Sequence, residues 1–386
     1  MAEFPYRGRR ALARVLAAGL AMTLLLAACQ TSNVPKPVPL AKLRGTAPVQ
    51  TAWRVKVGKA RDGFLQPAIQ GGAVFAAGAD GLYRINAANG RVDWRVKVKP
   101  PISAGVGAGE GLVAVATAKG DVLAYAPADG KLLWKAQVAS DVIVPPLVGR
   151  DLVLVLSTDH RISAFAAGDG RRQWIYQRQV PPLSLRVSTP LVFDGDSVVG
   201  GFAGGRLVAV ALANGALRWD TAVSEPNGAT EVERLSDVTG SIAVGTEDLC
   251  AASYQGRVLC INGDSASERW ARTLSAGAGV AFDDQRVFAV DAAAAVVAYA
   301  RDTGASLWRN ATFANRRLSS PLAHGRWVAL GDLQGYVHFL AAADGTLIGR
   351  AETDGSPIVV APQALGEGAL VQTRDGSVTL LVPGAR

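Results

Sequence analysis

Short alternating apolar segments recur along this chain at a nearly fixed interval. Each follows a tight turn: Gly81-Leu82-Tyr83-Arg84-Ile85, Gly120-Asp121-Val122-Leu123-Ala124-Tyr125, then segments beginning at His160, Gly205, Gly256, Ala294, Gly335 and Gly376. The eight starts are separated by 39, 40, 45, 51, 38, 41 and 41 residues. A second element repeats with the first, a turn followed by a tryptophan: Asn89-Gly90 to Trp94, Asp129-Gly130 to Trp134, Asp169-Gly170 to Trp174, Asn214-Gly215 to Trp219, a weaker version ending at Trp270, and Thr303-Gly304 to Trp308. Asp344-Gly345 continues the series, with Gly349 where tryptophan is due. Period-2 alternation between glycine turns marks strands, and a repeat of about 40 residues suits a four-stranded propeller blade. The chain is therefore predicted to be all-β, an eight-bladed β-propeller of four-stranded antiparallel blades. Its 43 Gly and 19 Pro disfavour long helices, and a 49% hydrophobic content supplies a large core.

The two ends are out of phase with the repeat. After the last alternating strand, Gly376 to Val382, only four residues remain, too few for an outer strand. Near the other end Trp53-Arg54-Val55-Lys56-Val57 matches the outer-strand sequence Trp94-Arg95-Val96-Lys97-Val98, yet no blade precedes it. The N-terminal strand is predicted to complete the last blade and close the ring, which protects edges that would otherwise pair with other chains. Each repeat tryptophan is expected to fill the gap between neighbouring blades, its indole N–H reaching a backbone acceptor.

Ahead of the repeats, Arg7, Arg9, Arg10 and Arg14 precede an apolar run from Val15 to Ala28. That run is short for a bilayer span but fits a secretory signal. It ends Leu26-Ala27-Ala28-Cys29, which resembles a bacterial lipobox. On that resemblance residues 1–28 are a removed lipoprotein signal peptide, Cys29 is the lipidated mature N-terminus, residues 29–50 are a Pro-rich tether, and residues 51–386 are the propeller. Gln30 follows the Cys, where in enterobacterial-type lipoproteins an Asp would favour inner-membrane retention, so the resemblance implies the periplasmic face of the outer membrane. Removing residues 1–28 takes away four Arg and one Glu, so the formal charge falls from +8 to +5. With export expected and the remaining charge dispersed through turns, nucleic acid is not an expected partner.

Signals for catalysis are weak. Three His and three Cys occur without C-x-x-C or H-x-x-x-H spacing, and no G-x-S-x-G, P-loop or H-E-x-x-H is present. The stretch Ala298-Tyr299-Ala300-Arg301-Asp302-Thr303-Gly304-Ala305-Ser306-Leu307-Trp308 resembles the tryptophan-docking repeat of pyrroloquinoline-quinone dehydrogenases. Those enzymes stack the quinone on a vicinal Cys-Cys disulfide beside calcium, and this chain has no adjacent cysteines. No cofactor or metal is expected, and the protein is read as a non-enzyme. Taken together, lipobox, Pro-rich tether and eight repeats resemble the BamB-type lipoproteins of the β-barrel assembly machinery. The most specific segments are Leu183-Ser184-Leu185-Arg186 and Glu231-Val232-Glu233-Arg234-Leu235-Ser236-Asp237-Val238. The resemblance implies a scaffold docked on the POTRA domains of BamA, with other subunits of the complex and nascent outer-membrane proteins as further partners. Two other readings are a periplasmic quinone-dependent oxidoreductase and a general cell-envelope propeller binding peptides or glycans.

Loop lengths direct attention to the same segments. From each tryptophan to the next alternating strand the counts are 28, 26, 26, 31, 37, 24 and 27, so the two longest connections, after Trp174 and Trp219, are consecutive. Connections from an outer strand to the next inner strand all emerge on one face of a propeller, so these two should form a composite surface. Pro181-Pro182 stops any strand before Leu183, and the inner strand is expected near Ser188. Leu183, Leu185 and Arg186 are candidate partner-binding residues, two apolar anchors beside an orienting charge. The alternative is that the leucines cover a blade and Arg186 pairs internally. Asp237 matches a position the family uses for docking; an internal role shaping the loop is equally open. Thr239 stands where a second acid is due. Cys250 and Cys260 flank a hairpin turn, and two buried thiols are expected in preference to a disulfide, since they face each other only if the loop register is odd.

Overall fold

The computed structural model describes residues 35–43, 48–60, 64–79, 81–179, 181, 183–185 and 189–384. Two compact units are distinguished, Met1–Pro37 and Val38–Arg386. Of the first, Pro35, Lys36 and Pro37 are described and have no regular structure; the second holds thirty-two strands and, among the described residues, no helix.

The strands form eight four-stranded antiparallel sheets. In chain order blade 1 spans 68–97, blade 2 102–137, blade 3 147–177, blade 4 192–222, blade 5 243–274, blade 6 276–310 and blade 7 322–352. Blade 8 takes three strands from 363–383 and its fourth from Val49–Lys56. That strand runs antiparallel to Ser377–Pro383, with Lys56 opposite Ser377 and Gln50 opposite Val382. The expected closure is therefore present.

Between blades lie eight apolar clusters, one per interface. The second strand of each blade is buried on both sides, as in Ala73–Gly78 and Leu112–Thr117, because sheets cover both of its faces. Tryptophans join the blades. Each of the seven outer-strand indoles donates its N–H to a carbonyl in the next blade's turn between third and fourth strands, from Trp53 to Ala87 through Trp308 to Ala342, at 2.7–3.1 Å. The turn glycine lies under the ring: a Cβ on Gly170 would sit 2.5 Å from Trp134.

One residue before each tryptophan the fourth strand is bulged, which aims the indole across the interface. Blade 7 keeps the bulge but has Gly349 there. The reason is topological. An indole on blade 7 would cap the third-to-fourth-strand turn of blade 8, and blade 8 has none, because those strands come from opposite ends of the chain.

Two expectations are corrected. Cys250 and Cys260 form a disulfide. They are directly opposite in the ladder, because five residues, an odd number, separate the last paired residues Ala252 and Val258. The inner strand of blade 4 is Val192–Asp194, beginning later than Ser188, which itself lies outside the described residues.

The segment 38–43 lies against blade 7 and the connection leading into it. The Val38 N–H donates to the Ala314 carbonyl at 3.1 Å. Arg316, 2% exposed, donates from Nη1 to the Val38 carbonyl at 2.7 Å, from Nη2 to Gln334 and from Nε to Asp332. Arg350 Nη1 reaches the Ala41 carbonyl at 3.0 Å. A buried guanidinium needs its donors satisfied, and here backbone from the N-terminal segment supplies one acceptor.

Candidate partner-docking face

In each blade the connection to the next blade and the turn between second and third strands share one face. On that face the longest connections run from blade 3 to blade 4 and from blade 4 to blade 5. The outer strand of blade 3 ends at Gln177, and Pro181, which lacks an N–H, keeps the chain from resuming it. Leu183 follows with 42% of its surface exposed. Leu185 is half-buried and turns into a cleft of ≈ 260 Å³ lined also by Ile143, Leu156, His160, Phe202 and Asp237. Burial holds the His160 imidazole below its usual pKa, against the opposing charges of Asp237 and Asp159. Cys29 and Arg186 lie outside the described residues.

Asp237 ties the two connections together. It is 3% exposed, and its Oδ2 accepts the Leu185 N–H at 2.5 Å while Oδ1 accepts the Gly204 N–H at 2.9 Å. Gly204 belongs to the second-to-third-strand turn of blade 4. One carboxylate thus fixes the Leu183-bearing loop to that turn. Its neighbours reinforce the tie, with the Thr189 hydroxyl donating to the Val238 carbonyl at 2.9 Å. Thr239, where an acid was expected, is buried and its hydroxyl reaches the Ala278 carbonyl at 3.3 Å.

The second connection arches outward over 225–235. Thr230 and Glu233 form a reciprocal cap: the Thr230 hydroxyl accepts the Glu233 N–H, and the Glu233 carboxylate accepts the N–H groups of Thr230 and Ala229 at 3.0 and 2.7 Å. Those backbone donors hold the Glu233 carboxyl below its usual pKa. At the crest stands Val232, 62% exposed. Among the described residues the other exposed large apolar side chains, apart from Leu43 and Leu183, lie on outer strands. Leu183 and Val232 are therefore the exposed large apolar side chains that the two joined loops present. Arg178 and Arg206 both engage Asp220, and Arg234 lies 3.6 Å from Glu231.

Sequence reasoning singled out Leu183, Leu185 and Asp237 but not Val232 or Gly204. The capping pattern Thr230-Glu231-Val232-Glu233 was available as a signal for Val232. The Gly204 contact had no local signal. Each oxygen of the face's central carboxylate is engaged by a backbone donor, which gives Asp237 a structural part in the face.

A family profile described as "Outer membrane protein assembly factor BamB" matches residues 78–310 and 292–382. The protein of that name from Burkholderia pseudomallei (strain K96243) is 42% identical over 362 residues, covering 93% of this chain and 95% of its own length. Among solved structures, BamB from Moraxella catarrhalis superposes with a TM-score of 0.79 at 26% identity, over 86% of this chain and 99% of that one. Quinohemoprotein alcohol dehydrogenase from Comamonas testosteroni superposes with a TM-score of 0.70 at 13% identity, over 88% of this chain and 77% of that one, a likeness of fold alone.

Proposed function

This chain belongs to the family of the outer membrane protein assembly factor BamB, and from that premise we propose that it is a non-catalytic scaffold, lipid-anchored through Cys29 at the periplasmic face of the outer membrane, that docks on the POTRA domains of BamA. The observation that carries the docking site is the Asp237 tie, which holds two consecutive long connections as one surface. On this reading Leu183 is an apolar anchor, Leu185 packs the cleft behind it, and Arg186 orients the partner. Asp237 acts through the loop it holds, since its own carboxylate is buried. Hot-spot logic favours such an arrangement, with a few apolar anchors inside a charged rim.

Pull-down from detergent-solubilised envelopes tests the partner: wild-type chain is expected to recover BamA, and Leu183→Ala with Leu185→Ala to lose it while unfolding at nearly the wild-type temperature. Normal BamA recovery by that folded double variant contradicts the site. Palmitate labelling that disappears in Cys29→Ala tests the anchor, and an unlabelled wild type rejects it. The dehydrogenase reading rests on fold alone. Dye reduction after adding quinone and calcium is expected to be absent.

A further inference from the structure

The outer strands of blades 8 and 1 carry a motif the other blades lack. Trp53-Arg54-Val55-Lys56-Val57-Gly58-Lys59 and Trp94-Arg95-Val96-Lys97-Val98-Lys99 place basic residues at matching positions on neighbouring blades. The position after the tryptophan, or after Gly349 in blade 7, is basic in blades 2, 6 and 7 as well, but three residues past the tryptophan position only blades 8 and 1 carry lysine, where the others have Gln137, Gln177, Ala222, Thr273, Ala311 and Glu352. These strands do the same packing work, so the cations are not required by the fold. Lysine on an edge strand blocks unwanted pairing, but that need is common to all eight outer strands.

Lys56, Lys97 and Lys99 are exposed, and among the described residues none of them forms an ion pair. Lys59 meets only an exposed carboxylate, Asp375, at 3.3 Å. The acidic group on the outer strand of blade 1, Asp93, is already engaged by Arg84 and Arg91, each at 3.1 Å. All four lysines lie toward the end of the outer strand or just past it, at the face from which the blade connections emerge. The N-terminal segment joins the ring on blade 7, next to blade 8, held by Arg316 and Arg350. In the eight-bladed ring blade 8 lies across from blade 4 and blade 1 across from blade 5, whereas the docking face is formed by the connections from blade 3 to blade 4 and from blade 4 to blade 5.

We propose that the outer rim of blades 8 and 1 is a membrane-contact surface, Lys56, Lys97 and Lys99 taking the phosphate headgroups of anionic lipid. Clustered lysines beside a bilayer are attracted by its negative surface potential, and the attraction is screened by salt. Segment 38–43 meets the ring on the neighbouring blade 7, and the proposed surface leaves the opposite rim free for the protein partner. This inference rests on the proposal that the protein works at a membrane, though its test does not need the lipid anchor.

The experiment uses the Cys29→Ala chain produced without lipid and sedimented with vesicles. Binding is expected to phosphatidylglycerol mixed with phosphatidylethanolamine and not to phosphatidylcholine alone, and it should fall steeply with added salt. Replacing Lys56, Lys97 and Lys99 with Glu is expected to lower that binding on the order of a hundredfold, near fivefold per lysine before charge reversal is counted. Lys131→Glu with Arg171→Glu and Arg172→Glu makes the same charge change elsewhere and is expected to leave binding close to wild type. Equal losses in both triple variants, or wild-type binding by the lysine variant, overturns the proposal. So does wild-type binding that is competed away by dissolved inorganic phosphate at matched ionic strength, which assigns the site to a free anion. Thermal unfolding and BamA recovery should be unchanged in the lysine variant, which separates this surface from the docking face. Absent palmitate labelling with intact vesicle binding rejects the anchor and leaves the rim standing.

Discussion

Both oxygens of the Asp237 carboxylate accept backbone N–H groups, one from Leu185 and one from Gly204, so the side chain acts as a clip between a loop and a turn. Truncation to Ala strands two donors in a largely buried place, at about 1–3 kcal/mol in stability. Asp237→Asn keeps the shape but presents NH2 to one of those donors. Both variants are expected to weaken BamA recovery and to melt earlier, Ala more than Asn; unchanged recovery by a destabilised Ala variant would separate the clip from docking. Glycine positions give a sharper contrast. Gly170 has φ +72 and would place a Cβ 2.5 Å from the Trp134 ring, whereas Gly168 in the same turn has nothing within 4 Å. Gly170→Ala is expected to cost about 1–3 kcal/mol and Gly168→Ala to stay within about 0.5 kcal/mol, measured by denaturant unfolding. A titration follows from Asp248, whose hydrogen bonds from Arg301, at 2.6 and 2.8 Å, outweigh burial and hold its carboxyl below the usual range. The folded-state value is depressed, so the stabilisation is present above the ordinary Asp value near about pH 4 and is lost as pH falls through the folded one. Asp248→Asn should therefore be less stable than wild type at neutral pH, with the difference closing in acid.

At the scale of the blade, what could be read from sequence was what repeats. Third strands, turn glycines and tryptophans recur because every interface solves one packing problem, and recurrence exposes them without any knowledge of contacts. The gap at Gly349 was also visible, but its cause lies in the neighbouring blade. The unread features depend on pairings across distance. Asp237 is buried because of a donor 52 residues upstream, and Arg316 because of a carbonyl 278 residues upstream. The disulfide turned on a single residue of turn length, since one more or one fewer between Ala252 and Val258 would have put the sulfurs on opposite faces. Closing a short hairpin, Cys250–Cys260 should contribute about 2–3 kcal/mol. Cys250→Ala with Cys260→Ala is expected to lower the unfolding free energy by that amount, read as an earlier denaturant midpoint, while leaving BamA recovery intact, because the bond lies within the ladder of blade 5.

For the molecule as a whole the decisive joint is blade 8. Deleting residues 48–56 removes its fourth strand together with Trp53, whose indole bonds to Ala87 of blade 1. The shortened protein is expected to unfold less cooperatively and to self-associate on gel filtration through the freed edge of Ser377–Pro383. A monomer melting like wild type would show that the ring holds without its clasp. The pairing also has a consequence in time. Val49–Lys56 is synthesised before any blade exists, and its partner Ser377–Pro383 only after the strands of blades 1 to 7. Until Ser377–Pro383 is available the segment Val49–Lys56 has no ladder partner, and whatever blades have formed can make only an open arc. A chain cut short before residue 377 lacks that partner and leaves its first segment unpaired. Such a product offers proteases and chaperones a handle that the closed ring lacks, so interrupted chains are marked by their own geometry.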